Sequence, residues 1–239
     1  MPTVVNGIGT WNYGKRNIHR RQGVCDFCQQ HGTLTSYDTT RYFVFLFVPL
    51  FALGRKRVIE HCPHCQRFRE MSIREWERLR KEDMGGALRA FRDDRQNRDK
   101  AIAALGKTLA FQDKDAFEKV LPYAREAFPQ DVEILRLMAD GYNYFGMHKQ
   151  AAKCYRDAVE IAPEDTETRE AYAVHLLHDL NPKEAAIHLS HLLAEPPSDE
   201  KLGLLVLLVE GYQTVGGHKD ALEVLAKITE LRPEVAEER

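Results

Sequence analysis

Apolar residues fall along this chain in two unlike ways. From about residue 98 onward they recur three and four positions apart, in segments broken by Gly, Asp or Pro, and that spacing predicts amphipathic helices. Upstream of Ser72 the densest apolar stretch is an unbroken run, Tyr42 to Leu53 within "RYFVFLFVPLFALGRKR", with basic residues at both ends. As a helix this run would reach only about 18 Å, short of the ~30 Å hydrocarbon core of a bilayer, and Pro49 makes a helix poorer still. A spanning segment is excluded and a strand is expected. Phe43, Phe45 and Phe47 would then share one face, with Tyr42, Val44, Leu46 and Val48 on the other. The strand is expected to end or bend near Val48, and Gly54-Arg55-Lys56 to turn the chain back toward Cys62.

Both faces of such a strand are apolar, whereas a sheet wet on one side alternates. A segment of this size has little material to cover two faces. One face must rest on the rest of the chain, a second copy, a partner or a lipid surface. Burial within the chain is the simplest of these, and Phe43, Phe45, Phe47 and Phe51 form the candidate interface patch.

Four of the five cysteines stand as Cys25-x-x-Cys28 and Cys62-x-x-Cys65. Two such pairs can present four thiolates to one tetrahedral zinc, and four sulfurs leave no open position, so a single structural Zn2+ is expected. The metal supplies folding energy that a small segment lacks. Two disulfides are the alternative; they fit poorly with an N-terminus that shows no charged n-region and apolar h-region, which points to a reducing, cytoplasmic setting. His61 and His64 adjoin the second pair and could replace a cysteine. The stretches "GIGTWNYGKRN", "VCDFC" and "TTRYFVFLFVPLFALGRKRVIEHCPHC" together resemble small bacterial zinc-ribbon domains of largely unknown function, over about residues 5–70. Asp26 stands where those domains commonly carry Pro. The resemblance implies a β zinc ribbon and a metal, and hardly any activity. Eukaryotic endosomal zinc-ribbon proteins are loosely similar, and their longer insert between the Cys pairs dips into the bilayer.

Ser72-Ile-Arg-Glu75 reads as a capping box that opens a charged helix carrying Trp76 and Leu79, with Met84-Gly85-Gly86 interrupting it. This charged helical linker spans 71–97. Beyond it, "GMHKQAAKCYRDAVEIAPED" and "GGHKDALEVLAKITELRPEV" repeat each other. The unit 132–165, with Leu135, Met138, Ala139, Tyr142, Gly146, Ala151, Tyr155, Ala158 and Pro163, resembles the tetratricopeptide (TPR) pattern almost position for position. Units 166–201 and 202–235 follow it. Segment 98–131 fits as a degenerate opening repeat, with Pro122 awkward inside its second helix. The expected architecture is therefore mainly α, a TPR-like α-α superhelix over 98–239, behind a small N-terminal β zinc ribbon over 1–70.

The resemblance to TPR domains implies a concave groove lined by the first helix of each pair. It places Arg136, Asp140, Asn143, Tyr144, Glu170, His178, Glu210 and Gln213 there as candidate peptide-binding residues. That lining is mixed to acidic, which suits a basic or mixed peptide. His175, His178, His188 and His191 crowd one repeat with no carboxylate at ligand spacing and read as surface histidines; Cys154 reads as a packing residue. No Walker loop, dinucleotide fingerprint, nucleophile elbow or His-Glu-x-x-His motif occurs, so an enzyme is not expected.

Charge sharpens the division. Residues 1–82 carry 14 Lys and Arg against 7 Asp and Glu, leaving 20 against 29 for the remainder, within a net charge of −2. The chain is read as a protein–protein interaction scaffold with an unidentified protein or peptide partner. The first alternative is a peripheral membrane tether using the apolar segment 42–53. The second is a nucleic-acid-binding ribbon, since Arg55, Lys56 and Arg57 lie near interleaved aromatics.

Overall fold

The computed structural model describes residues 4–5, 7–194 and 196–233. The first three residues, on which the reading of the N-terminus partly rests, and 234–235 of the last expected repeat lie outside the described residues. The chain divides into two compact units, Met1–Asp93 with Ala110–Asp113, and Asp94–Leu109 with Lys114–Arg239.

The first unit is a five-stranded antiparallel sheet in chain order: β1 (Val4–Val5), β2 (Ile8–Val24), β3 (His31–Phe45), β4 (Val48–His61) and β5 (Arg69–Ser72). The apolar run is a hairpin rather than one strand. Phe45 pairs with Val48, which leaves Leu46 and Phe47 as a two-residue turn with φ of 49° and 65°. Two left-handed residues make the turn whose twist matches that of the flanking strands, a place that favours Asn-Gly. The chain therefore reverses eight residues before Gly54, correcting the expected turn at 54–56. Gly54 lies inside β4 at an irregularity: Arg41 pairs with Gly54 but Tyr42 with Ala52, leaving Leu53 unpaired, and Leu50 is left out likewise between Pro49 and Phe51. Gly7 backs the turn. Its carbonyl accepts from the Phe47 amide at 3.2 Å, and a Cβ there would sit 3.2 Å from the Leu46 Cα.

Behind this hairpin the sheet closes over polar as well as apolar groups. Leu34 packs with Cys25 and Cys62. Arg57 and Asp38, only 5% and 6% exposed, form an ion pair at 3.0 Å, and Arg57 also donates to the Asn17 carbonyl at 3.1 Å. The Ser72 hydroxyl caps helix α1 (Ile73–Leu79) by accepting from the Glu75 amide at 3.2 Å, as the capping box requires. Gly85-Gly86 does not break the path. A π-helical turn, Arg80–Met84, carries it into α2 (Gly85–Asp93). Phe111 packs on Trp76 with ring centroids 5.0 Å apart, and Gln112 donates to the Ser36 hydroxyl at 3.0 Å, which is why 110–113 belong with this unit.

The second unit is helical: α3 (Arg98–Ala110), α4 (Lys114–Ala127), α5 (Val132–Tyr144), α6 (His148–Ile161), α7 (Thr166–His178), α8 (Pro182–Leu189) with a 3-10 turn at Ser190–Leu193, α9 (Asp199–Thr214) and α10 (His218–Leu231). Between the helices of each pair one residue is left-handed: Gln112, Gly146, Leu180 and Gly216, with φ between 58° and 76°. The amide of the next residue turns back onto the preceding helix, as in Met147 to the Tyr142 carbonyl at 2.7 Å and Gly217 to the Tyr212 carbonyl at 2.8 Å. Helix α4 runs unbroken through Pro122, whose ring faces outward. No helix among the described residues is long and apolar enough to cross a membrane.

Candidate metal centre and binding surfaces

Each Cys-x-x-Cys pair sits on a tight turn between strands, and the two turns are built alike. The Cys25 carbonyl accepts from Gln29 at 2.9 Å and the Cys62 carbonyl from Gln66 at 3.1 Å; the Cys25 and Cys62 amides donate to the carbonyls of Gln30 and Arg67, both at 3.0 Å. Gln29 and Gln66 both take left-handed φ, 57° and 58°, and each folds its side-chain amide back onto a carbonyl, Asp26 and Pro63 respectively. Antiparallel pairing of β3 with its neighbours brings the two turns to one end of the sheet.

There the four sulfurs of Cys25, Cys28, Cys62 and Cys65 lie within 4.8 Å of one another. Cys25 and Cys65 are 3.8 Å apart and Cys28 and Cys62 3.7 Å. A disulfide needs about 2.05 Å, so the alternative of two bridges fails and all four are free thiols. A tetrahedron of sulfurs around zinc, at about 2.3 Å per bond, has edges near 3.8 Å. The donor set and its spacing fit such a metal. Crowding also spreads the sulfurs' acidities. Burial opposes the Cys62 thiolate, but the Cys65 and His64 amides and the neighbouring thiols outweigh it and bring Cys62 down to about 6. At Cys28 the Gln30 amide favours the thiolate, yet burial and the other three sulfurs push it up to about 11. The flanking histidines stay out of the cluster: His64 Nε2 lies 3.2 Å from the His31 carbonyl, and the His61 ring packs on Phe68.

At the opposite end of the sheet, the unit leaves the hairpin uncovered. Phe45, Leu46, Phe47, Val48, Leu50 and Phe51 are 45–70% exposed. Phe43 is half-buried and stacks on Phe51 across the strands at 5.1 Å; Val44 alone is fully inside. The simplest expectation is burial within the chain, and the run's own unit does not provide it. The basic residues around it divide. Arg57 is committed to Asp38, and Arg41 to Glu70 at 2.6 Å.

In the helical unit, Asp140, His178, Glu210 and Gln213 are exposed, while Arg136, Asn143 and Tyr144 are half-buried. Arg136 donates to Glu167 at 2.5 Å. The Tyr155 hydroxyl donates to Asp140 Oδ1 at 2.5 Å. Desolvation raises the Asp140 carboxyl above its ordinary value, although Tyr155 and Arg136 act the other way. Asn143 accepts from His175 at 2.8 Å. Glu170 is buried, held by His191 at 3.1 Å and by Lys201. Histidine reading thus needs correcting at His175, which is 1% exposed and packed among Tyr155 and Tyr172. Burial lowers its pKa despite Asp179 nearby. Cys154 is buried, as a packing residue should be.

Ion pairs join successive repeats. Arg98 reaches Asp131 at 2.5 Å and Glu133 at 2.6 Å, Arg125 reaches Asp157, and Arg232 reaches Asp199 at 3.1 Å. The partners are about one repeat apart, a pattern visible only once the helices are stacked.

No protein-family model matches the chain, and no curated protein matches it. Solved structures do. The chain is similar to the MamA protein, at 12% identity and a TM-score of 0.53 over 69% of this chain and 91% of that one. It is similar to YrrB, described as a TPR protein with an unusual peptide-binding site, at 17% identity and 0.51 over 67% and 80%. Nearly identical TPR-like repeats from Podosopora anserina align at 11% identity and 0.52 over 68% and 93%. At such identities the likeness shows the fold: the helical unit is a TPR-like solenoid, and the strand unit with its four close cysteines fits a zinc ribbon.

Proposed function

We propose that the chain is a non-enzymatic interaction scaffold, in which a zinc-held ribbon is joined to a solenoid that takes a peptide in its concave groove. The observation that carries the reading is the stack of helix pairs, whose first helices α5, α7 and α9 leave Asp140, His178, Glu210 and Gln213 open to solvent. A repeat architecture of this kind presents an extended concave surface. Two of these four are carboxylates and none is Lys or Arg, which favours a peptide bearing Lys or Arg. Among the described residues of the solenoid no nucleophile, base and oxyanion donor come together. Four thiolates filling the coordination sphere make the metal structural, not catalytic.

Panning a random peptide library against the full-length chain tests the groove. Enrichment of Lys- or Arg-bearing peptides is expected, with affinity falling about three- to tenfold on Asp140→Asn with Glu210→Gln, as for partly exposed charge pairs. Absence of any enriched sequence, or equal binding by the double variant, would remove the peptide-groove reading.

A further inference from the structure

The exposed hairpin of the ribbon unit ends in three layers. Outermost is the turn with its apolar neighbours, Phe45 to Val48, Leu50 and Phe51. Next is an aromatic row, since Trp11 pairs with Tyr42 and the Tyr13 ring meets Tyr42 edge-on at 5.6 Å. Third is a cationic row. Tyr13, Thr40 and Arg55 lie opposite one another across β2, β3 and β4, and with Arg16, Asp38, Thr39 and Tyr42 they line a cavity of about 220 Å³. Asp38 is already neutralised by Arg57. Arg16 and Arg55 are exposed and form no ion pair with a carboxylate among the described residues. The Tyr13 hydroxyl joins the cavity to the tip, 3.5 Å from the Phe47 carbonyl. No charged residue lies between Arg41 and Arg55.

We propose that this hairpin docks on an anionic phospholipid surface, the tip entering the leaflet and the Arg16–Arg55 cavity taking a lipid phosphate. Spacing supports it. At ~3.3 Å per residue, Tyr42 lies about 10 Å from Phe45 along β3 and Thr40 about 17 Å. Interfacial elements sink about 5–10 Å into the headgroup boundary, and the headgroup layer beyond is roughly 5–7 Å deep. Apolar tip, aromatic belt and arginines then meet acyl chains, interface and phosphates in that order.

Two features choose lipid over another polypeptide. β4 is an edge from Val48 to Arg55, because β5 pairs only with Lys56–Ile59. A bare edge invites strand addition, but this one carries Pro49, which donates no hydrogen bond, and irregularities at Leu50 and Leu53. Proline and bulges on an edge are devices against pairing. A lipid surface needs no register. The same edge bounds the depth, since its unpaired backbone groups forbid full immersion in hydrocarbon. The turn itself is the second feature. Leu46 and Phe47 hold left-handed φ that Asn-Gly would adopt without strain, and both side chains, 63% and 70% exposed, project outward.

Flotation of the full-length, zinc-loaded chain tests this independently of the solenoid groove. Vesicles mixing phosphatidylglycerol with phosphatidylcholine are compared with phosphatidylcholine alone. Co-flotation with the anionic vesicles, and weaker binding by roughly tenfold or more to the neutral ones, is expected. The double variant Leu46→Asn, Phe47→Gly relaxes the turn, so its melting temperature should hold or rise while flotation falls about tenfold or more. Arg16→Gln with Arg55→Gln should leave residual binding and abolish the preference for phosphatidylglycerol. No flotation, or flotation of the turn variant like the parent, overturns the proposal. So does a dimer in light scattering that the turn variant converts to monomer without any flotation, which would assign the tip to a second copy. Displacement by inorganic phosphate with no dependence on the tip would assign the cavity to a free anion instead, and a double-arginine variant that keeps its lipid preference overturns the headgroup site.

Discussion

Arg55 and Arg57 stand two residues apart in a basic cluster, and in a strand two residues apart means the same face of the sheet. Yet Arg57 is inside, against Asp38, and Arg55 is open. The difference comes from what covers each: Trp76 lies over the Arg57 guanidinium, with 5.4 Å between the guanidinium carbon and the ring centroid, and Gln112 takes its second nitrogen. Removing one partner of a buried pair leaves the other charge uncompensated, which costs about 3–5 kcal/mol. An open arginine is worth within about 0.5 kcal/mol. Arg57→Ala should therefore lower the urea midpoint of the first unit strongly, and Arg55→Ala hardly at all. Both tryptophans, Trp11 and Trp76, belong to that unit, so tryptophan fluorescence reads it alone. Equal midpoints for the two variants would refute the distinction. Sequence could not have made it, because Asp38 meets Arg57 rather than Arg55 only in a register set by a turn at Leu46–Phe47, where no turn residue stands, and shifted by the unpaired Leu50 and Leu53. The cysteine ligands were legible for the opposite reason. Each pair is local, and its spacing alone fixes the geometry of the turn that carries it.

At the level of the helix, the legible positions were those with large or small side chains at fixed intervals, such as Leu135, Tyr142 and Ala158. Less legible were positions where one repeat receives another. Gly141 in α5 is one: a Cβ there would fall 2.2 Å from the Phe117 ring, and Phe117 is fully buried in the preceding repeat. Gly211 stands at the corresponding place in α9 and faces Leu177 at 2.7 Å. At the same place in α7 stands His175, buried and bonded to Asn143 of the preceding repeat. Gly at a helix interior normally costs about 1 kcal/mol relative to Ala. Here the close approach reverses the sign. Gly141→Ala should destabilise the solenoid by about 1–3 kcal/mol, as overpacking does, whereas Gly106→Ala in α3, with nothing within 4 Å, should stabilise it by up to ~1 kcal/mol. Thermal melts followed by helical circular dichroism decide. A gain at both sites would mean that Phe117 moves aside freely. The left-handed residue of each pair follows similar logic: Gly146 and Gly216 announce it, but Leu180 and Gln112 occupy it without a signal, since the flanking helices impose the turn whatever the residue.

For the whole chain, the two units draw their stability from different sources, and this was the most legible feature of all. The solenoid buries Leu, Ala, Tyr and Ile side chains along its length, from Leu105 to Ile228. Around its cysteines the ribbon unit gathers, among the described residues, only Leu34 as a buried apolar neighbour. Four sulfurs within 4.8 Å of one another, two pairs of them at 3.7 and 3.8 Å, repel one another as thiolates and are stabilised together by a cation. Structural zinc in such sites contributes about 10–16 kcal/mol of apparent binding energy, comparable with the ~5–15 kcal/mol total stability of an ordinary domain. Metal removal should therefore act on one unit and spare the other. The purified chain is expected to carry one zinc by elemental analysis, and cobalt in its place should show the absorption of a tetrahedral four-thiolate site. A strong chelator should shift tryptophan emission to that of solvent-exposed indole, while the helical ellipticity of α3–α10 persists and melts at an unchanged temperature. Cys62→Ser should reproduce this without chelator. Unchanged emission after complete zinc removal would show that the sulfurs hold no folding metal, and loss of all helical signal would show that the solenoid depends on the ribbon, contrary to a stack of repeats that each bury their apolar face on the next.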